Sequence, residues 1–235
     1  MSYKNLIVYM ALGLLAVLSA CNGTSAQEEV YNHLEKAVTL EETFQQQQEP
    51  IAELEQKEQE LYSEIIDLGM DELDKIKELS NEAIGVIEER SEKIELEKES
   101  IDSSKGEFVQ IEPLIEDIES ENAQSKASEM YEVMMNRYKA YSDLYSVYNE
   151  SLTLEKELYT MLQEDDIEQE DITEQINKIN SSYQEVIEAN ELFNEYTVEY
   201  NALKKEFYDV AEISVEYEGD SPTSGEEDTD ESEND

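Results

Sequence analysis

Apolar residues recur at steps of three and four along most of this chain, and this periodicity is the feature that most constrains its fold. Such steps place the side chains on one stripe of a helix, and that stripe must be buried against a partner. Gly and Pro together number only ten in 235 residues, so few positions favour the end of a helix. The pattern predicts an all-α protein built from long helices.

Three breaks divide the helical pattern, which extends over residues 27–214. The first is the sequence LGMD at 68–71, where Gly69 would end one helix and Asp71 would cap the next. The second is the polar stretch 120–128, and the third is the sequence EDD at 164–166. The four resulting segments are 27–67, 71–118, 127–163 and 168–213.

The four segments have similar lengths and short connections, which an antiparallel up-and-down bundle requires. At about 1.5 Å per residue, each would span on the order of 60–70 Å. We therefore predict an elongated antiparallel bundle of three to four long helices with a coiled-coil-like seam. Pro50 predicts a kink or a break in the first segment, and Pro113 predicts a bend or an end in the second. A seam of this kind closes within one chain or between two, so the oligomeric state stays open.

Tyrosine replaces leucine and isoleucine over several turns of the third segment. Its stripe reads Tyr131, Met134, Tyr138, Tyr141, Tyr145, Tyr148, Leu152, Glu155, Tyr159 and Leu162. One interpretation is a binding surface, in which Tyr138, Tyr141, Tyr145 and Tyr148 would stack on sugar rings. The other is a seam, in which the rings pack and the hydroxyls reach the edge of the bundle. The core positions of these residues favour packing, and both interpretations stay open.

The first 21 residues have the layout of a lipoprotein signal. Lys4 precedes an apolar run at 6–18 that is too short for a comfortable membrane-spanning helix. The sequence LSAC at 18–21 places one aliphatic and two small residues before Cys21, the single cysteine of the chain. We expect 1–20 to be a signal peptide that is removed, and the Cys21 thiol to carry a diacylglyceryl group with fatty acids such as palmitate.

The mature chain would then have three parts. Residues 21–26 form a short lipidated tether, 27–214 form the helical bundle, and 215–235 form an acidic tail. From Glu218 onward the tail has nine acidic residues and no basic, aromatic or aliphatic one. It cannot bury enough apolar surface to offset its ordering entropy, so we expect it to be disordered.

Charge and composition exclude several function classes. The chain has 61 Asp and Glu against 16 Lys and Arg, a formal net charge of -45 that excludes nucleic acid as a partner. The same charge opposes anionic wall polymers and leaves neutral glycan strands as a wall ligand. With Cys21 lipidated and His33 the lone histidine, no Cys/His metal site can be assembled. No nucleophile or phosphate-loop motif occurs, so we predict a protein without a cofactor that is not an enzyme.

Six short sequences carry a resemblance to a known family. They are YNHLEKAV at 31–38, EQELY at 58–62, IIDLGM at 65–70, MMNRY at 134–138, EAN at 188–190 and YNALKKEFY at 200–208. Together with the LSAC sequence, they make the chain resemble the YkyA-like family of Gram-positive lipoproteins, which are described as binding the cell wall. The resemblance extends to about residue 211 and leaves out the acidic tail. It implies an elongated helical bundle on an extracellular lipid anchor and supplies no catalytic residues.

The leading hypothesis is a non-enzymatic surface lipoprotein, held on the outer face of the membrane, that binds peptidoglycan or acts as a spacer beneath the wall. The alternative is an adaptor that binds another surface protein in an extracytoplasmic secretion or wall-synthesis complex. A single dominant protein partner in surface cross-linking would favour the adaptor.

Overall fold

A computed structural model describes residues 24–68 and 72–214, and each element within these ranges is helical. The α-helices are α1 (Ala26–Leu40), α2 (Glu42–Asp67), α3 (Leu73–Phe108), α4 (Glu112–Ile115), α5 (Glu121–Met161) and α6 (Gln169–Val210), with a 3-10 turn at Val109–Ile111. The predicted signal peptide, Cys21, the turn residues 69–71 and the acidic tail at 215–235 lie outside the described residues.

The long helices pack as two antiparallel pairs. Helices α2 and α3 pack along one another, as do α5 and α6, and contacts between α3 and α5 join the two pairs. Helix α1 precedes α2 in the chain, forms the other part of the same rod and packs against α3. The prediction of an elongated, all-helical, antiparallel bundle is confirmed, and the rods number four when α1 and α2 are taken together.

Two of the three predicted breaks are confirmed. Helix α2 ends at Asp67 and α3 begins at Leu73, while α5 ends at Met161 and α6 begins at Gln169. The predicted break at 120–128 is wrong, because α5 begins at Glu121 and includes most of that stretch.

The start of α5 has a local cause that explains this error. The side chain of Ser120 accepts a hydrogen bond from the backbone N–H of Ala123, at 3.4 Å, and so caps the helix. The chain turns before this cap, through the 3-10 turn at Val109–Ile111 and the short helix α4, which contains Pro113. The predicted bend near Pro113 is therefore confirmed.

The first segment divides into two helices, but not at Pro50. Pro50 lies inside α2, and the division falls nine residues earlier, at Glu41. Ser100 of α3 satisfies backbone groups at this division: its Oγ donates to the carbonyl oxygen of Leu40 at 2.6 Å and accepts from the N–H of Phe44 at 3.1 Å. Ser100 of α3 thus supplies hydrogen bonds to the end of α1 and to the start of α2, where the helix is interrupted.

The Glu41 side chain at this division is buried and is held from two other helices. Arg137 of α5 donates to both of its carboxylate oxygens at 2.8 Å, and Ser104 of α3 donates to Oε1 at 2.9 Å. Because the Ser104 proton is used on Glu41, the hydroxyl of Tyr138 donates to Ser104 Oγ at 2.8 Å. The division is therefore fixed by tertiary contacts, and the local sequence lacks Gly and Pro there.

The apolar core has two parts, one toward each end of the bundle. The first part joins α1, α3, α5 and the C-terminal half of α6 around Leu34, Phe108, Met130 and Phe207. The second part joins α2, α3 and α5 around Leu61, Ala83, Val86, Leu152 and Tyr159, and contains no buried residue of α6. Between the two parts lies a layer of buried charged side chains, where the candidate site is found.

Candidate functional site

An open groove runs between α2 and α6 above the charged layer. No Cα atom of α2 lies within 8 Å of a Cα atom of α6, although both helices pack against other rods over this length. Two cavities of about 540 and 560 Å³ follow one another along the groove. The stretch of α2 that lines them, from Phe44 to Tyr62, is roughly 25 Å long at about 1.5 Å per residue.

The bundle is closed beyond the groove because α1 approaches α6. Glu35 of α1 accepts a hydrogen bond from the hydroxyl of Tyr208 at 2.7 Å and an ion pair from Lys204 at 2.9 Å. The rings of Tyr31 and Tyr208 meet edge to face, with centroids 5.4 Å apart. Near the start of α2, Phe44 packs edge to face on Phe193 of α6 with centroids 5.8 Å apart. Beyond this contact the middle of α6 keeps apolar side chains in solvent: Ile187 is 51% exposed.

Three charged side chains form the floor of the first cavity, and all three are buried. Nη2 of Arg90 on α3 lies 3.0 Å from Oε2 of Glu58 on α2 and also donates to Oε2 of Glu155 on α5. One guanidinium therefore serves two carboxyls. Burial, together with the nearby charge of Glu155, raises the pKa of Glu58 from 4.5 to about 8.

The second cavity has a different floor, in which Glu97 of α3 is the buried carboxyl that lacks an arginine. It accepts hydrogen bonds from the hydroxyl of Tyr141, at 3.3 Å, and from the side-chain amide of Gln48. No Lys or Arg of the described residues pairs with it, and burial raises its pKa to about 7. The Arg137 that also lines this cavity is already neutralised by its two hydrogen bonds to Glu41.

The structure places the four candidate tyrosines at graded depths beside the groove. Tyr138 lies in the core and does not line either cavity. Tyr141 is also buried and packs edge to face on Phe44, but it lines the second cavity. Tyr145 and Tyr148 are half-buried, and their hydroxyls donate at 2.6 Å to Glu95 and Glu55, respectively.

Tyr148 is the tyrosine at the centre of the groove. It lines both cavities, and its ring lies 5.6 Å from the Arg90 guanidinium carbon. Tyr145 lines the second cavity and receives the Lys98 ammonium at 5.6 Å. The seam and the binding surface are therefore compatible interpretations, because Tyr141, Tyr145 and Tyr148 pack in the seam and also line the groove.

The rims of the groove carry exposed carboxamide side chains. On α2 these are Gln45, Gln48 and Gln59, and on α6 they are Asn180, Asn190 and Asn194. A carboxamide both donates and accepts hydrogen bonds, so the rims can bind polar ligands of either type. Concave surfaces with aromatic walls and a few polar groups are the usual form of ligand sites.

The sequence pattern marks the tyrosines as candidate site residues but does not mark the charged floor as a site. Glu155 lies on the stripe of the third segment, and Arg90 falls at the same spacing between Ile87 and Ile94 of the second. Charged residues are rarely fully buried unless they are paired. Opposite charges at stripe positions of two helices are a signal from which this pair could have been inferred. Glu58 falls four residues after Leu54 and three before Leu61, so the same spacing places it on the stripe of the first segment.

Two other kinds of site are not found in the part of the chain that the structure describes. No group of three or more His, Cys, Asp or Glu residues is arranged to hold a metal ion there. No helix within 24–68 and 72–214 is long and apolar enough to span a membrane. The Nδ1–H of the lone His33 donates a hydrogen bond to the Glu107 carboxylate at 2.6 Å, beside Lys36 and away from the groove.

The helical part of the chain matches one family model. The YkyA family, which carries the description "Putative cell-wall binding lipoprotein", matches residues 25–210. The chain belongs to this family. The recognised resemblance is thereby confirmed, and the family is one of lipoproteins with a cell-wall description.

One relative and one solved structure are similar to this chain. The uncharacterized lipoprotein YkyA of Bacillus subtilis (strain 168) is 35% identical over 199 residues, which cover 85% of this chain and 89% of that protein. A conserved protein of unknown function from Staphylococcus aureus, solved at 1.6 Å, superposes with a TM-score of 0.69 at 18% identity, over 80% of this chain and 98% of its own. At that identity the likeness concerns the fold alone.

Proposed function

We propose that this YkyA-family protein is a non-catalytic lipoprotein, anchored outside the cell through Cys21, that binds peptidoglycan in the groove between α2 and α6. The observation that carries the proposal is the groove itself, a channel about 25 Å long in which aromatic rings and carboxamides face a shared space. The cell-wall description of the family supports the same polymer.

The chemistry of the groove suits a glycan strand with peptide side chains. Tyr148 offers an aromatic ring, while Gln45 and Asn190 offer donors and acceptors from opposite rims. Aromatic side chains with a polar end pack on sugar rings while their hydroxyls keep polar partners. The net charge of -45 disfavours binding of the anionic polymers of the wall, which leaves peptidoglycan as the wall polymer that the groove would bind.

The anchor places the bundle between the membrane and the wall. Cys21 lies only five residues before α1, so the lipid and the helical rod would be closely connected. Two or three acyl chains hold a protein stably on a bilayer, whereas a single chain does not.

Changing Cys21→Ala should therefore release the protein into the culture medium. The measurement is an immunoblot of the membrane and medium fractions of cells that express the wild type or the variant. We expect the wild type in the membrane fraction and the variant in the medium. Retention of the variant in the membrane would contradict the anchor and would leave wall binding to be tested separately.

Changing Tyr148→Ala should weaken binding to peptidoglycan about tenfold, because the variant lacks the ring shared by both cavities. The measurement is co-sedimentation of the full-length protein, in mild detergent, with purified peptidoglycan at low and at moderate salt. Absence of co-sedimentation of the wild type under both conditions would contradict the proposed function.

Tyr131→Ala is the matched control for this experiment. Tyr131 also lies on α5, is half-buried, and donates its hydroxyl to a glutamate, Glu112, at 3.1 Å, but it packs on Phe108 outside the groove. We expect this variant to bind as the wild type does, with both variants folded by circular dichroism. Equal loss of binding in the two variants would show that the groove is not the contact surface.

A further inference from the structure

The groove has more carboxyl groups than cations to balance them. Its two cavities are lined by the glutamates Glu41, Glu55, Glu58, Glu97 and Glu155 and by the arginines Arg90 and Arg137. Arg137 is used by Glu41, and Arg90 is shared by Glu58 and Glu155, so Glu55 and Glu97 lack an arginine. The interior of the groove is therefore complementary to a positively charged group and disfavours anions.

Two buried polar atoms at the floor of the first cavity lack a hydrogen-bond partner among the described residues. They are Oε2 of Glu58, which lies beside the Arg90 guanidinium without accepting a hydrogen bond, and Nε of Arg90. The Glu58 side chain is 7% exposed and lines the cavity. An ion pair without an aligned hydrogen bond leaves this buried acceptor incompletely satisfied, so it favours a ligand that brings an N–H donor.

The aromatic rings of the groove already contact cations within the protein. The Arg90 guanidinium lies 5.6 Å from the ring of Tyr148, and the Lys98 ammonium lies 5.6 Å from the ring of Tyr145. Rings placed beside carboxylates attract ammonium groups through their negative faces. Burial raises the pKa of Glu58 to about 8 and that of Glu97 to about 7, so an ammonium group placed beside either carboxyl would favour its ionised form.

We infer that the groove recognises a primary ammonium group on its ligand, and that this group is the free amine of an uncross-linked peptide stem in peptidoglycan. The inference rests on the proposed function, since it names the part of the polymer that the groove would bind. Neutral sugars would contact the rims and the rings, while the ammonium group would lie above Glu58 and Glu97. Free stems would be bound in preference to cross-linked ones, whose amines are consumed.

Acetylation of the amines tests this inference separately from the proposed function. The probe is purified peptidoglycan, stripped of anionic polymers, before and after chemical N-acetylation of its free amines. We expect binding of the full-length protein to be about tenfold weaker after acetylation. Equal binding to both forms would overturn the inference and leave the proposed function standing, whereas binding to neither form would overturn both.

A tethered ammonium group gives an independent test on the protein side. Ile187→Lys would place a lysine at a residue that lines both cavities, and its own ammonium should compete with that of the ligand. Val198→Lys is the matched control, because Val198 lies on the same helix, is 71% exposed and is outside the groove. We expect about tenfold weaker binding to unmodified peptidoglycan for Ile187→Lys and unchanged binding for Val198→Lys.

Ile187→Gln separates the charge from the change in side-chain shape. This variant replaces the same apolar side chain by a neutral polar one of intermediate length. Retained binding with Ile187→Gln and loss with Ile187→Lys would support recognition of an ammonium group. Equal loss with both substitutions, or unchanged binding with Ile187→Lys, would overturn it.

Discussion

Replacing Arg90→Met is expected to lower the free energy of unfolding by about 3–5 kcal/mol at pH 9. The variant would leave Glu58 and Glu155 buried against one another without their shared cation. With Arg90 in place the pKa of Glu58 is about 8, so this carboxyl is ionised at pH 9. Without the arginine it would have to keep an unpaired buried charge or take up a proton, and either is costly. Urea denaturation followed by circular dichroism measures the change, and the effect should be smaller at pH 6, where Glu58 holds a proton.

Lys156→Met is the control for the loss of one cation. Lys156 forms an ion pair with Glu88 at 2.6 Å, but both side chains are about half exposed. Exposed pairs contribute about 0–1 kcal/mol, so we expect little change in this variant. A loss for Arg90→Met no larger than that for Lys156→Met would mean that the buried cluster does not depend on its arginine. The triple change Glu58→Met, Arg90→Met and Glu155→Leu should recover most of the stability.

The buried cluster also explains why its part of the molecule was hard to predict from sequence. The stripe of α5 was predicted from its spacing, and Met134, Tyr138, Tyr141, Leu152 and Tyr159 are all buried. Spacing determines which face of a helix is buried, but it does not determine which neighbouring helix covers that face. The groove exists because α2 and α6 stay apart, and this separation is a property of the assembled bundle.

The helix breaks give the same contrast between local and distant causes. Ser120 caps α5 through its own neighbours, so its signal was present in the sequence even though the break was placed too late. The division at Glu41 depends on Ser100 and Arg137, which lie 59 and 96 residues away in the chain. Pro50 offered the stronger local signal and yet lies inside α2, where the helix continues through it. Tertiary contacts decided this position against local propensity.

The stability of the wild-type protein should fall as the pH rises from about 5 to about 9. In the folded protein, burial raises the pKa of Glu97 to about 7 and that of Glu58, beside Glu155, to about 8, both from 4.5. The native state therefore binds more protons than the unfolded chain over this range, and the free energy of unfolding decreases with pH by up to about 1.4 kcal/mol per unit for each proton. Thermal melts at intervals of pH measure the effect.

Carboxyls with lowered pKa values act in the opposite direction but in a different range. Lys36 holds the pKa of Glu107 below 4.5, and the partners Lys204 and Tyr208 do the same for Glu35 against the opposing effect of burial. The stability that these two groups contribute is lost only as the pH falls below 4.5, so it leaves the interval from 5 to 9 unchanged. The decline over that interval is therefore specific to carboxyls with raised pKa values.

The double variant Glu58→Gln and Glu97→Gln should remove most of this decline. Each glutamine keeps the size of the side chain and cannot ionise, so folding would no longer be linked to proton uptake at these positions. Relative to the wild type, the double variant should gain stability at pH 9 and change little at pH 5, where both native carboxyls are protonated. A wild-type protein whose stability is constant between pH 5 and 9, or a double variant that declines as steeply, would show that these carboxyls ionise normally. Exposed Glu78→Gln and Glu164→Gln changes, which remove the same charge, should leave the wild-type decline intact.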